Sequence, residues 1–433
     1  RSDVRATLRR MESPTAPYYL LLGVVSLLVG FGLVMVLSAS MIVSLRENDS
    51  SFAIFLKQAG FAAVGALAMW WAARRSVTFW RRVAVPAFVV SVVLLALVLT
   101  PLGFGFQGNR NWLGLGPVSI QPSEIAKIGL VLGGALFLER KRELLGSLMH
   151  AVVPFLVPGV AVVLLLVMLG HDLGTAMVIC GLAVAMLFAA GVRLRWFALG
   201  IGALVGLGLL AAQLSANRMQ RIGIWLSPEQ CAPGSQLYYD ICRQPMHGRY
   251  ALADGGWFGV SLGGSREKWG WLSEPYNDFI FAIIGEELGY VGAAGLLCLF
   301  GLFAYTGMRI ARRSADPFLR LLTATATLWI LSQVFINVGY VVGLLPVTGL
   351  QLPLISSGGT STATTLLMIG IMANAARHEP EAVAALRAAV ARVEGAASTA
   401  ALVYSVCPLT VWTLEPSLRR NCCGPAVSAG WVR

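Results

Sequence analysis

The chain has 433 residues, of which 57% are apolar and only 12% charged, and its mean hydropathy is +0.73. Soluble globular domains carry about a quarter of their residues charged, so this composition excludes them and leaves a polytopic membrane protein. The net charge of +12 does not point to nucleic acid, because the basic residues sit in short clusters between apolar runs, where they orient helices.

Arg5, Arg9 and Arg10 precede an uncharged run from Ser13 to Leu45. That run is too long for a signal peptide and lacks a small-residue cleavage site, so it predicts a retained first helix. Further apolar stretches predict helices at about Gln58 to Ala73, Val83 to Phe104, Ile125 to Leu138, Ala151 to Leu169, Thr175 to Gly191 and Trp196 to Leu214. Three more fall at about Phe279 to Met308, Leu321 to Leu344 and Thr360 to Ala376, which makes about ten in an all-α bundle. With an inside N-terminus, the second, fourth, sixth and eighth helices must each return to a basic loop. Residues 74–82 carry four Arg, 140–142 three Lys or Arg, 193–195 two Arg and 309–320 four Arg, whereas the short loops opposite carry Arg46 and Arg110. Both termini are therefore expected in the cytoplasm. The organisation that follows is a cytoplasmic segment 1–16, a transmembrane domain 17–379 with a large extracytoplasmic loop at about 215–277 between helices seven and eight, and a cytoplasmic tail 380–433. The tail has a short helical pattern from Glu379 to Gly395 and turns irregular beyond Ser398, so it is expected to be disordered or not of a native reading frame. The lack of Met at position 1 suggests a trimmed chain.

Two outer segments break the charge rule. Residues 103–127 hold Asn109, Arg110, Asn111, Glu124 and Lys127, and residues 215–277 hold Arg218, Arg221, Arg243, Arg249, Arg266 and Lys268. An external anionic ligand would explain these charges, although any one arginine reads equally as a solvated loop charge. Lys127 lies about four residues inside an apolar run, so it needs a partner or a wet cavity, and Glu124 sits three residues earlier on the same helical face. The stretch Gly263 to Gly289 packs Arg266, Glu267, Lys268, Glu274 and Asp278 into a short polar span. It then enters an apolar run broken only by Glu286 and Glu287, at least one of which needs a basic partner or a proton. Such a loop is either an interfacial anchor or the lining of a reactive cavity, and Asp278 at the helix mouth favours the cavity. Asp172 reads as an ordinary helix cap. The segment Gly343 to Ser361, with Pro346, Pro353, Gly358 and Gly359 around Ser356 and Ser357, is irregular backbone that must be buried in protein or line a cavity. Cys231 and Cys242 are separated by a turn-forming Pro233, Gly234 and Ser235, which predicts a disulfide on the oxidising side of the membrane. No metal-ligand spacing of Cys and His and no Walker loop occurs, and the glycines of GGWFGVSLGG, Gly255 to Gly264, read as turns.

Long ordered motifs carry a resemblance: QGNRNWLGLGPVSIQPSEIAK (Gln107 to Lys127), HDLGTA (His171 to Ala176), QPMHGRYALADGGWFG (Gln244 to Gly259), GGSREKWGWLSEPYNDFIFAIIGEELG (Gly263 to Gly289) and GLLPVTGLQLPLISSGGTS (Gly343 to Ser361). These resemble the SEDS family (FtsW/RodA/SpoVE), most closely its division branch of actinobacterial type, over about Pro17 to Glu379. His171 stands where the family usually has Pro. The resemblance implies a peptidoglycan glycosyltransferase that polymerises lipid II at the division septum, in complex with a class B penicillin-binding transpeptidase and other division proteins, with the Asp of DFIFA, Asp278, required for catalysis. The chemistry is consistent with that. An enzyme acting outside the membrane has no ATP there, so its substrate must carry its own activation, as a polyprenyl-pyrophosphate-linked sugar does. Pyrophosphate leaves without a general acid, so one carboxylate suffices to deprotonate the attacking hydroxyl. Arg110, Lys127, Arg266 and Lys268 are the expected cations for the pyrophosphate, with Glu124, Glu274, Ser356 and Ser357 completing the substrate-binding set. A divalent cation, Mg or Mn, could join them. A lipid II flippase using Glu286, Glu287 and Lys127 as a path, or a non-catalytic division scaffold, are the alternatives.

Overall fold

The computed structural model describes residues 15–144 apart from 107–108 and 116–117, then 159–192, 216–227 and 237–379, with isolated positions at 155, 202, 206, 229, 231, 381 and 384. The N-terminal segment before residue 15, nearly all of the expected Trp196 to Leu214 helix and almost all of the tail lie outside the described residues. The chain divides at Glu379 into one compact unit and a second comprising Pro380–Arg433.

Eleven helices are described in the first unit. They are α1 (Ala16–Asn48), α2 (Ala53–Ala73), α3 (Val77–Val98), α4 (Pro122–Arg140), α5 (Ala161–Leu169), α6 (Leu173–Ala189), α7 (Ala216–Leu226), α8 (Arg243–Gly255), α9 (Ile280–Arg313), α10 (Pro317–Val341) and α11 (Gly359–Arg377). Five of them, α1, α2, α3, α9 and α10, are long and apolar enough to cross a membrane. At 1.5 Å rise per residue such helices reach the ~30 Å of a hydrocarbon core. Leu27, Leu67 and Phe335 point outward, each at least 60% exposed, as side chains do that face lipid and not water. The protein is thus a predominantly helical, multi-pass membrane protein.

The third helix stops at Val98, earlier than the expected Phe104. Pro101 and Gly103 end the helical pattern there, and the chain turns into a three-stranded antiparallel sheet of β1 (Gly103–Phe106), β2 (Asn109–Leu115) and β3 (Val118–Ile120). Phe104 pairs with Trp112 and Leu113 with Ile120, and the register shifts between Phe104 and Gly105. This small sheet leads directly into α4, whose Pro122 takes a first-turn position that needs no amide hydrogen.

Close approach holds the bundle. A Cβ at Gly370 of α11 would lie 2.4 Å from the Met69 carbonyl oxygen of α2, so these two helices touch backbone to backbone. In its N-terminal third α9 is broken at Gly289, φ 68° and ψ −169°. The loop 256–261 enters the break and replaces the lost helical bonds. Tyr290 and Val291 amides donate to the Gly256 and Trp257 carbonyls at 2.9 and 3.1 Å, while Val260 and Ser261 amides donate to the Glu286 and Glu287 carbonyls at 3.0 and 3.2 Å. The glycines of this loop, read from sequence as turns, therefore also permit contact with a helix backbone: a Cβ at Gly259 would stand 2.1 Å from the Glu287 oxygen.

Side chains fix the same junction. Glu286 accepts from Ser265 Oγ at 2.5 Å and from the Arg266 amide at 2.7 Å. Glu287 is fully buried and receives Lys268 Nζ at 2.8 Å and Ser38 Oγ at 2.7 Å. Lys268 is the basic partner that the glutamate pair requires. Removing one member of a buried pair leaves an uncompensated charge, whereas removing both does not. Lys268→Met is therefore expected to destabilise the protein by roughly 3–5 kcal/mol, and adding Glu287→Leu to restore most of the loss. Thermal unfolding of the purified variants in detergent measures both steps.

Candidate active site

The loop from Ser273 to Phe279 closes over the ends of α9 and α10, and its geometry is set by backbone capture. Asn337 and Tyr340, one helical turn apart on α10, both donate to the Asp278 carbonyl oxygen, Nδ2 at 2.9 Å and the phenol at 2.7 Å. Ser356 Oγ donates to the Asn277 carbonyl at 2.7 Å and accepts the Leu352 amide at 2.8 Å. The Ser357 amide donates to the Tyr276 carbonyl at 3.0 Å, and Gln351 Nε2 reaches Asn277 Oδ1 at 3.1 Å. From α2, Gln58 Nε2 secures the Ser356 carbonyl at 3.1 Å. Three successive carbonyls are held from below, so the irregular segment after α10 has its polar backbone satisfied by protein, as burial at membrane depth demands.

The Asp278 carboxylate itself accepts no hydrogen bond from the described residues. It is half-buried beside Gly349, where a Cβ would approach Oδ2 to 3.4 Å. Burial pushes its pKa up to about 7, the Glu274 charge adds to the rise and the Arg221 guanidinium opposes it. A carboxyl with that pKa is poised to exchange a proton near neutral pH. Arg221 of α7 is held down by burial, with Asp278 countering, and remains a cation.

Of the residues expected at the site, Asp278, Glu274, Ser356 and Ser357 come together in this loop system. Glu274, at φ 53°, accepts from Asn277 Nδ2 at 3.2 Å. The hydroxyl of Ser356 is committed to the loop backbone. Lys127 and Glu124 form a buried pair at 2.7 Å, with the ammonium 5.1 Å from the centroid of the Trp329 ring, two turns along α10 from Asn337. Arg110 donates to the Gly103 and Thr100 carbonyls at 3.1 and 2.7 Å and so braces β1. Lys268 belongs to the Glu287 pair, away on α1 and α9. Arg266 is exposed, and its guanidinium has no partner among the described residues. Asp172 caps α6 through the Thr175 amide at 3.0 Å and also accepts Asn111 Nδ2 at 3.0 Å.

Sequence reasoning passed over Asn337, Tyr340 and Gln351. Asn337 had a usable signal, since a polar amide inside an apolar helix marks a required partner. It also gave Arg221 and Arg249 no more weight than other loop charges, yet both line a cavity of about 130 Å³ that shares Tyr340 with the Asp278 loop. Ile224 and Ile241 of that lining also pack in a small apolar cluster with a disulfide, Cys231 to Cys242, whose Cα atoms are 5.8 Å apart. Behind α8, His247 Nδ1 lies 2.7 Å from Glu267 Oε2 and its ring stacks on Trp271. Among the described residues no group of three or more His, Cys, Asp and Glu converges as a ready-made metal cage.

A bundle of membrane helices with a carboxyl of raised pKa, Asp278, at the mouth of a span defines a polytopic membrane protein. The particular lineage is clear from comparison. Residues 18–381 match the FtsW/RodA/SpoVE family, described as cell cycle proteins, and the chain belongs to that family. It is 50% identical over 376 residues to the probable peptidoglycan glycosyltransferase FtsW of Mycobacterium tuberculosis, covering 87% of this chain and 70% of that one. It is 37% identical over 370 residues to stage V sporulation protein E of Bacillus subtilis, covering 84% and 98%. Among solved structures it resembles a component of a peptidoglycan synthase complex that coordinates polymerization and crosslinking, with TM-score 0.66, 28% identity and coverage of 83% and 97%. It also resembles the Thermus thermophilus rod shape determining protein RodA, with TM-score 0.61, 28% identity and coverage of 83% and 96%.

Ser356→Ala removes the donor to Asn277 and the acceptor of the Leu352 amide, leaving buried polar groups unpaired at about 1–3 kcal/mol. The expected result is a lower unfolding temperature and faster amide exchange confined to residues 274–279 and 350–358, read by hydrogen exchange and mass spectrometry.

Proposed function

We propose that this peptidoglycan glycosyltransferase polymerises lipid II into glycan strands on the outer side of the membrane, with Asp278 as general base. The observation that carries the proposal is the Asp278 carboxyl: its backbone is fixed from α10, its oxygens accept no hydrogen bond from the described residues, and its pKa is pushed up to about 7. The acceptor sugar hydroxyl attacks the anomeric carbon of the donor. As that C–O bond forms, the bond to the diphosphate oxygen breaks on the opposite face, and the hydroxyl proton passes to Asp278, so the linkage inverts. Arg266, left exposed and unpaired among the described residues, is available to the anionic substrate. If Mg or Mn takes part, Asp278 and Glu274 are the carboxylates at the loop, and the ion would supply charge neutralisation to the diphosphate.

Family membership and the names of the relatives support the reaction and the division role at the septum. The likeness to a synthase complex that couples polymerization to crosslinking supports partnership with a class B penicillin-binding transpeptidase and other division proteins. The flippase alternative draws on Lys127, Glu286 and Glu287. Lys127 is already paired with Glu124, Glu287 with Lys268, and Glu286 with the 265–266 turn, so these groups serve the fold.

Asp278→Asn keeps the size of the side chain and loses the basic oxygen, so a folded variant that retains lipid II binding should lose polymerisation by about 10²–10⁴-fold. Gel analysis of glycan made by purified protein with its transpeptidase partner decides; near-normal polymer from Asp278→Asn removes the assignment. The pH profile gives a second check. A base with a pKa of about 7 is protonated and idle below that value, so the rate should rise as pH increases through about 7. Glu274→Gln, by removing the neighbouring negative charge, should shift that limb to lower pH.

A further inference from the structure

We infer that the turn joining α2 to α3 is a binding site for the phosphate headgroup of an anionic phospholipid, built from two arginine–tryptophan pairs in the leaflet opposite the Asp278 loop.

The turn lies at the far end of α2 from the candidate active site. Gln58, near the start of α2, holds the Ser356 carbonyl in the segment that supports the Asp278 loop. Arg74 caps the other end, roughly 24 Å along the axis at 1.5 Å per residue. Trp70 and Trp71 stand in the last turn of this membrane-spanning helix, at the headgroup level that tryptophan favours. Trp70 is 56% exposed, and Val64 and Leu67, earlier on the same helical face, are exposed as well, which gives acyl chains an apolar track leading to the ring. The arginine-rich loops assign this end of the bundle to the cytoplasm, whose leaflet is the anionic one.

Each arginine follows its tryptophan by one helical turn. The Arg74 guanidinium is centred 4.0 Å over the Trp70 ring and that of Arg75 4.6 Å over Trp71. A cation over a ring keeps its charge and all its N–H donors. Both side chains are exposed, and among the described residues neither guanidinium forms an ion pair or a hydrogen bond. Arg81, one turn into α3, shows the contrast: it donates to Glu139 at 2.6 Å and to Asp316 at 2.9 Å, and so ties α3 to α4 and α10.

The turn is also fixed. Asn374 of α11 donates to the carbonyls of Ala73, at 3.2 Å, and of Arg75, and Arg377 Nη1 donates to the Ala73 carbonyl at 3.1 Å. Trp71 packs edge-on against Phe79 and the buried Trp80, with ring centroids 5.6 and 5.9 Å apart. Charge that merely orients a helix needs neither the rings nor the fixed turn. A phosphate with apolar chains uses both: its oxygens take the open guanidinium donors, and its chains lie along Trp70 and Leu67.

The test is lipid retention by the full purified chain, read by native mass spectrometry during titration with cardiolipin, phosphatidylglycerol or phosphatidylcholine. The two anionic lipids should be retained in preference to phosphatidylcholine. Arg74→Gln with Arg75→Gln should weaken their retention about tenfold, as loss of charge-assisted hydrogen bonds does. Trp70→Leu keeps the charge and an apolar side chain, and should weaken it about two- to fivefold through loss of the ring. Arg312→Gln with Arg320→Gln removes the same charge from exposed positions at the same end of the bundle, on either side of Asp316, and should bind as the parent does. An equal loss in that control, or parental retention in either the arginine pair or Trp70→Leu, means that lipid responds to net charge and overturns the site. Glycerol phosphate, which lacks the chains, should not displace the lipid; displacement at equal concentration would mark a site for the free anion and overturn the lipid assignment. Capture of a hexaglutamate peptide through Arg74 and Arg75, with no preference among the three lipids, would mark a protein-binding turn and overturn it too.

Discussion

The two donors on the Asp278 carbonyl are the constraint from which the site follows. A carboxylate at a helix mouth would ordinarily turn its side chain onto nearby amides, which lowers its pKa and removes it from chemistry. Here the preceding backbone cannot relax that way. Asn337 and Tyr340 hold the carbonyl, Ser356 and Ser357 hold the two carbonyls before it, and the carboxylate accepts no hydrogen bond from the described residues. Beside Gly349, the group has burial as the first cause of its raised pKa. Backbone hydrogen bonds thus determine a side-chain property.

The same accounting separates structural from available charge. Each ionised group taken out of water is penalised by several kcal/mol unless it is paired and hydrogen-bonded. Lys127 with Glu124, and Lys268 with Glu287, meet that condition inside the bundle. Four of the ionisable residues that looked most functional in the sequence are therefore mutually neutralised. Among the described residues, three arginines near the site stay outside such pairs: Arg266 on the exposed turn, and Arg221 and Arg249 on the cavity walls. Arginine suits that position, because its planar fork stays charged even when partly buried.

Much of the architecture was legible in the sequence because membrane helices announce themselves by length and hydropathy alone. Helices α1, α2, α9, α10 and α11 lie within a few residues of their expected positions, while α3 starts and ends about six residues early. What escaped was local. The sheet at residues 103–120 is built from GFGF, NRNWLGL and VSI, strands too short and too glycine-rich to show an alternating pattern. The loop around Asp278 was recognised as polar and reactive, but its supports on α10 and in the 351–357 segment lie 59 to 79 residues away in sequence, and no periodicity connects them. The expected cations failed to gather for the same reason. Spacing along one chain says which residues share a helix face, as with Glu124 and Lys127, and nothing about which lysine a distant glutamate will claim.

The break in α9 shows why loop and helix act as one body. A helix interrupted inside a bilayer leaves orphan amides and carbonyls that lipid cannot satisfy, each at several kcal/mol. In this protein the 256–261 loop supplies four replacement bonds, and only glycine fits the point of contact: at Gly289 the backbone is left-handed and a Cβ would fall 2.4 Å from the Gly259 nitrogen. Residues 286 and 287, on the N-terminal side of this break, also anchor residues 265–268 through their carboxylates. The outer segment is therefore stitched to α9 two turns below Asp278, by backbone and by charge. A displacement of α8 or of the 263–272 turn cannot be absorbed in a flexible linker, because that turn is bonded to the helix that begins at the base.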